Sequence, residues 1–161
     1  LSEESKADLQ ETLDESGYKG KISTVNKARI VLDETEGELI FAGRTQRGYE
    51  LDFDANVQWG CMPTESLMLS LAGCLSIDMV MFLRKMKCTI KAYELEIDGE
   101  RNATPPQYYK SFDIRIKLTG SGLDKKKVDR AIALSQEKYC SVYHTLRPDL
   151  KVNVDYEIIE G

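Results

Sequence analysis

The chain reads as an α+β protein in the element order β-β-β-α-β-β-α-β, with antiparallel sheets set against helices. Three observations predict this. Strand-like stretches come in blocks of three and two rather than alternating one by one with helices, so no regular βαβ repeat is present. Their apolar residues alternate with charged ones, as in sheets with one wet face. Between the blocks, Pro63 to Leu83 is almost free of charge and apolar around nearly its whole circumference, which describes a helix surrounded by protein.

The elements follow in order. Residues 1–25 form an N-terminal extension, with a short helix over 2–16 that carries Leu9 and Leu13 and ends at Gly17; residues 26–161 form one domain. Lys27 to Asp33, Glu38 to Ala42 and Tyr49 to Asp54 read as strands, with Gly37 and Gly48 at the turns. In the third strand Leu51 and Phe53 face inward against Asp52 and Asp54 on the wet side. Pro63 suits a first helical position, and Ala72 and Gly73 leave room for another backbone beside Cys74. Thr89 to Asp98 alternates imperfectly; Gln107 to Thr119 does so cleanly through Phe112, Ile114, Ile116 and Leu118. A helix from about Asp124 to Tyr139, a short turn from Ser141 to Leu146 and a strand from Leu150 to Ile159 complete the chain.

Composition narrows the function classes. A chain of 161 residues suffices for one core, yet so apolar a helix asks for more cover than one small sheet gives, which points to oligomerisation. The net charge of −5 argues against nucleic acid, which needs a concentrated positive surface. The one basic run, Lys125 to Lys127, opens a helix whose apolar positions Val128, Ala131, Ile132 and Tyr139 point elsewhere, and reads as a solvated face. The first residues alternate acidic and polar groups where a secretory segment needs a basic start, so a cytoplasmic location is expected. The apolar run from Leu67 to Leu83 is short for a membrane span and holds Asp78, Ser70 and Ser76.

For chemistry, the inventory leaves the cysteines. With His144 as its one histidine, the chain cannot build a zincin helix or a multi-histidine metal centre, and it lacks dinucleotide and Walker sequences. His144, four residues after Cys140, either shares a helical face with it as a Cys-His pair or is simply packed or exposed. Four cysteines without paired C-x-x-C spacing read as thiols in a reducing compartment. Cys74 is either a small buried hydrophobe or a reactive group. If Ser141 caps the turn that follows, the Cys140 sulfur sits near a helix N-terminus that favours a thiolate. Cys61 and Cys88 lie in no such environment and read as structural, with Cys61 near enough in sequence to be an accidental oxidation partner.

Two segments carry a resemblance. Pro63-Thr64-Glu65-Ser66-Leu67 with Leu71-Ala72-Gly73-Cys74 and Ile77-Asp78, together with Leu134-Ser135-Gln136-Glu137-Lys138-Tyr139-Cys140-Ser141-Val142, resemble the OsmC/Ohr family, closest to its YhfA-like branch. The likeness runs from Lys27 to the C-terminus. It implies an intertwined homodimer, with sheets from both subunits wrapped around two long central helices and the reactive thiols at the subunit boundary. It also implies a thiol peroxidase in which Cys74 attacks an organic hydroperoxide, Cys140 resolves the sulfenic acid, and an external dithiol restores both. No metal, flavin or nucleotide cofactor is expected.

The chain departs from that family at the groups that support the thiolate. Peroxidase members carry an arginine in the first hairpin turn, where this chain has Asp33-Glu34-Thr35-Glu36-Gly37; Arg44, one turn later, is the available substitute. The acidic partner of that arginine falls at Thr64, with Glu65 displaced by one position. Asp78, at i+4 from Cys74, shares its helical face, where it either opposes the thiolate or serves as a buried hydrogen-bond partner across the dimer. Two readings follow: a peroxidase with a Cys74 thiolate, or a non-catalytic dimer with ordinary thiols that binds a small apolar ligand or senses redox state.

Overall fold

A computed structural model describes residues 25–33 and 39–161. The expected N-terminal helix and the acidic turn after Asp33 lie outside those residues. The described elements are β1 (Ala28–Leu32), β2 (Ile40–Thr45), β3 (Glu50–Asp54), α1 (Pro63–Lys85), β4 (Thr89–Arg101), β5 (Tyr109–Ser121), α2 (Lys125–Leu134), a π-helical turn (Ser135–Tyr139), α3 (Ser141–Thr145) and β6 (Lys151–Glu160). This is the predicted order, with the predicted turn after the second long helix folded into helical structure of its own. The described residues fall into two compact units that meet in chain order inside α1, one ending at Leu69 and the other running from Ser70 to Gly161.

The larger unit is organised by β5. Phe112, Ile114, Ile116 and Leu118 are at most 1% exposed, as their clean alternation predicts. β5 is the middle strand of a sheet in the order β4-β5-β6. The imperfect alternation of β4 has a physical cause: the register with β5 slips between Ile90 and Ala92, leaving Lys91 as the extra residue of a bulge. Onto this sheet pack Leu75, Met79, Phe82 and Leu83 of α1 and Val128 and Ala131 of α2.

One pairing differs from the expected antiparallel arrangement. β1 to β3 and the β4/β5 pair are antiparallel, but β6 lies parallel to β5, from Ser111 beside Lys151 to Gly120 beside Glu160. A parallel neighbour needs a crossover, and α2, the π-turn and α3 together provide it. Asp124 caps α2 by accepting a hydrogen bond from the Lys127 amide at 2.9 Å. The lysine run behaves as a solvated face, with Lys125 bound to Asp129.

α1 starts as its sequence dictates. Pro63 is the first helical residue, and the Glu65 carboxylate accepts from the Met62 amide at 2.8 Å, half of a capping box. Leu71, Leu75, Met79, Phe82 and Leu83 are buried. Leu69 and Ile77 are 63% and 65% exposed, with Gly73 exposed between them at four-residue spacing. A Cβ built on Gly73 meets nothing within 4 Å among the described residues, so no described residue fills the room expected there. Among the described residues, α1 is the one helix long and apolar enough to cross a membrane by length and composition. Its contacts with the sheet make it the core helix of the larger unit.

In the smaller unit the end of β3 reverses the predicted facing. Leu51 is 47% exposed, whereas Asp54, expected on the wet side, is 2% exposed. Its carboxylate accepts from the amides of Asn56 at 2.8 Å and of Gln58 and Trp59 at 2.9 Å, which latches the loop that leads to α1. The latch offsets an unfavourable backbone at Val57, a β-branched residue at φ +55°. Hydrogen bonds from Asn56, Trp59, Gln58 and Val57 hold the Asp54 carboxyl below its ordinary value of 3.8. The stability it contributes is therefore present above that value and lost as pH falls through the lower folded one. Trp59, the single tryptophan, reports on the loop. Its fluorescence is expected to change in acid with a midpoint below pH 3.8, and Asp54→Ala should produce the acid-form signal already at neutral pH.

Candidate active site

Two helical segments of the larger unit bring three ionisable side chains together. Cys74 and Asp78 stand one turn apart on α1, and Cys140 enters from the crossover. The two sulfurs and a carboxylate oxygen of Asp78 all lie within 4.8 Å of one another. Cys140 is 1% exposed, Asp78 8%, and Cys74 is half-buried. All four cysteines of the chain are free thiols.

The π-turn sets this geometry. The sequence predicts one helix through Tyr139, but after Leu134 the backbone widens by one residue per turn, and the Cys140 amide donates to the Ser135 carbonyl at 2.8 Å. Two contacts flank this turn. Ser135, fully buried, donates its hydroxyl proton to the Asp78 carboxylate at 2.7 Å, so the acid finds its partner within the same chain rather than across a dimer. Cys140 leaves the helix with an extended backbone and becomes the N-cap of α3 itself, its sulfur accepting from the Tyr143 amide at 3.4 Å. Ser141, expected to be that cap, is instead the first helical residue.

The electrostatics separate the two thiols. Cys74 is held well below its ordinary value of 9.0, at about 6. The largest cause is the hydrogen bond donated by Cys140, with further bonds from the amides of Val142 and Ser141, against the opposing effects of burial and the Asp78 charge. Cys140 is pushed up, first by donating to Cys74 and then by burial. The favoured microstate is therefore a Cys74 thiolate beside a Cys140 thiol. The sequence led us to expect thiolate character at Cys140; the helix N-terminus is there, but its first two amides serve the partner sulfur. Asp78 is raised by desolvation, partly countered by Ser135.

The other candidates have contacts of their own. Arg44, the proposed cation for Cys74, forms an ion pair with Glu50, its cross-strand neighbour on β3. Glu65 caps α1. His144 is exposed, and its ring meets Tyr143 edge-on at 5.6 Å, so the packed-or-exposed alternative holds. Cys88 is buried and donates its S–H to the Gly122 carbonyl at 3.1 Å, and the backbone of the half-buried Cys61 bridges to Phe53. Ser135 was not singled out from sequence. Its signal was present, since it continues the apolar face of α2 four residues beyond Ala131, where a lone hydroxyl needs a buried partner.

A long core helix that carries one thiol, closed by a crossover that ends in a second, defines a class of α+β folds with a paired-thiol centre. The profile of the OsmC-like protein family matches residues 54–155, and the chain belongs to that family. It is 30% identical over 122 residues to Protein YhfA of Escherichia coli K12, covering 75% of this chain and 91% of YhfA. An OsmC-like protein from Mycoplasma pneumoniae superposes with a TM-score of 0.71 at 16% identity, over 86% of this chain and 99% of that one. The organic hydroperoxide resistance protein OsmC of Legionella pneumophila gives 0.59 at 15% identity, over 85% and 99%. At such identities the last two are likenesses of fold.

The thiolate assignment has a direct test. Ultraviolet thiolate absorbance of the reduced protein is expected to show one group titrating near pH 6. Cys140→Ala should move that midpoint upward by removing the principal donor, and Asp78→Asn should move it downward by removing an opposing charge. Since the folded value is depressed, the thiolate's contribution to stability is complete above pH 9 and lost as pH falls through about 6.

Proposed function

We propose that the protein is a two-cysteine thiol peroxidase acting on organic hydroperoxides. The observation that carries this reading is the asymmetric sulfur pair, a depressed Cys74 beside a proton-bearing Cys140 within 4.8 Å. The non-catalytic alternative requires ordinary thiols, and the Cys74 environment speaks against it. In the first step the Cys74 thiolate attacks the terminal peroxide oxygen. The O–O bond breaks, Cys74 becomes a sulfenic acid, and the alcohol leaves after taking up one proton. Cys140 then attacks the sulfenic sulfur, the S–O bond breaks, and water departs as the Cys74–Cys140 disulfide forms. An external dithiol reduces that disulfide and is itself oxidised.

Neutral donors take the supporting role that the family resemblance gives to arginine. Hydrogen bonds to ionised groups contribute about 1.5–3 kcal/mol each, so two amides and an S–H suffice to lower a thiol pKa by a few units. The expected outcome of treatment with tert-butyl hydroperoxide is a Cys74–Cys140 disulfide, found by peptide mapping under non-reducing conditions. In Cys140→Ser a Cys74 sulfenic acid should persist and be trapped by dimedone. A Cys74–Cys61 disulfide, or an inert Cys74, would rule the two-cysteine cycle out.

The same reading includes a homodimer. Its support is the exposed stripe Leu69, Gly73 and Ile77 on an apolar helix, together with a small sheet whose β1 is exposed along its whole length, including Ile30, Val31 and Leu32. Gly73→Leu separates assembly from folding. Within the chain the new side chain meets no described residue, and helix propensity improves by roughly 1 kcal/mol. Across a tight helix contact it overpacks by about 1–3 kcal/mol. Sedimentation should therefore find a dimer for the wild type and a well-folded, weaker or monomeric species for the variant. A wild-type monomer at micromolar concentration would defeat the dimer reading.

A further inference from the structure

We propose that Cys74, Cys140 and Asp78 also form a binding site for a borderline-soft divalent cation of the zinc class. Two sulfurs and one carboxylate oxygen within 4.8 Å of one another are a donor set suited to such an ion. A tetrahedral zinc ion with bonds of about 2.3 Å to sulfur holds its two thiolates about 3.8 Å apart, so closure from the observed spacing takes movements of about an ångström. The spacing of Cys74 and Asp78 at i and i+4 puts two ligands on one helical face, the device helical metal motifs use, and Cys140 supplies the third from the head of α3. The fourth position is left for water.

Two further features fit a metal better than a bare redox pair. An acid beside a reactive thiolate is electrostatically unfavourable, since it opposes the charge on Cys74. Around a divalent cation the same carboxylate lowers the energy. Ser135 donates to one oxygen of Asp78 at 2.7 Å and leaves the other unclaimed by that bond, which is the orienting contact a metal-binding carboxylate requires. The sequence gives no notice of the set, because its members come from separate segments and match no C-x-x-C spacing. Binding displaces the Cys140 proton and engages both sulfurs, so the loaded site is protected from alkylation and oxidation.

Cobalt(II) added to the full-length reduced protein supplies a spectroscopic readout independent of turnover. The expected result is stoichiometric appearance of sulfur-to-cobalt charge-transfer bands with tetrahedral d–d absorption, displaced by zinc. Cys140→Ser and Cys74→Ser should each abolish the two-thiolate spectrum, while Cys61→Ser and Cys88→Ser, which are not members of the group, should retain it. Ser135→Ala should weaken affinity about tenfold to a hundredfold while keeping the spectrum, the mark of a residue that orients a ligand. Zinc should also raise the melting temperature of the wild type and not of Cys140→Ser, which checks that the variants are folded. Absence of the bands in wild type, or their persistence in Cys140→Ser, overturns the site. Because the peroxidase reading is judged by disulfide formation in metal-free protein, either proposal can fail alone.

Discussion

The π-turn between Ser135 and Tyr139 is the constraint on which the site depends. A regular helix through these residues would advance about 100° per residue and carry Cys140 onward along the same cylinder. The wider turn, closed by the Cys140 amide on the Ser135 carbonyl, releases the chain so that Cys140 can cap a new helix. That one irregularity aims the Cys140 S–H and the first amides of α3 at Cys74, while the Ser135 hydroxyl reaches Asp78 from the last regular turn of α2. π-turns are rare and concentrate at functional sites. Here the reason is visible, because straightening the helix would undo the thiolate's donors.

The parallel placement of β6 is the fold-level counterpart of this turn. A hairpin return would need only a few residues, whereas a parallel neighbour needs a full crossover, and the crossover is what carries Cys140 back over α1. The buried face of β5 supplies the platform. Phe112 to Leu118 anchor α1 through Leu75, Met79, Phe82 and Leu83, so Cys74 and Asp78 project from a helix fixed by core packing. A site that must bring two sulfurs within bonding reach benefits from such rigidity, since small displacements decide whether a disulfide can close.

Much of this was legible in the sequence, and the misses share a cause. Element order, the clean face of β5, the apolar central helix and both cysteines follow from periodicity and motif, which depend on local residue pattern. The parallel β6, the intrachain Ser135–Asp78 bond, the buried Asp54 and the capping role of Glu65 each depend on where the backbone turns between elements. Asp54 is instructive. Its position in an alternating strand marks it as solvent-facing, yet the three following amides that need an acceptor outweigh the pattern. Arg44, the nearest cation in sequence, forms an exposed ion pair with its cross-strand neighbour Glu50.

Stabilising a thiolate with neutral donors rather than with arginine changes the character of the site as well as its source of stability. An arginine would cancel the thiolate charge and leave a centre of low net charge. Amides and an S–H lower the energy of the thiolate without cancelling it, and Asp78 keeps a second acidic group within 4.8 Å. Burial raises the Asp78 carboxyl above its ordinary value, and its ionisation adds negative charge to a half-desolvated site. Electrostatically, such a centre suits neutral or cationic partners better than anionic ones. The two proposed uses of the site are therefore consequences of one electrostatic choice: an uncancelled thiolate that a neutral peroxide can reach is also one that a divalent metal ion can neutralise.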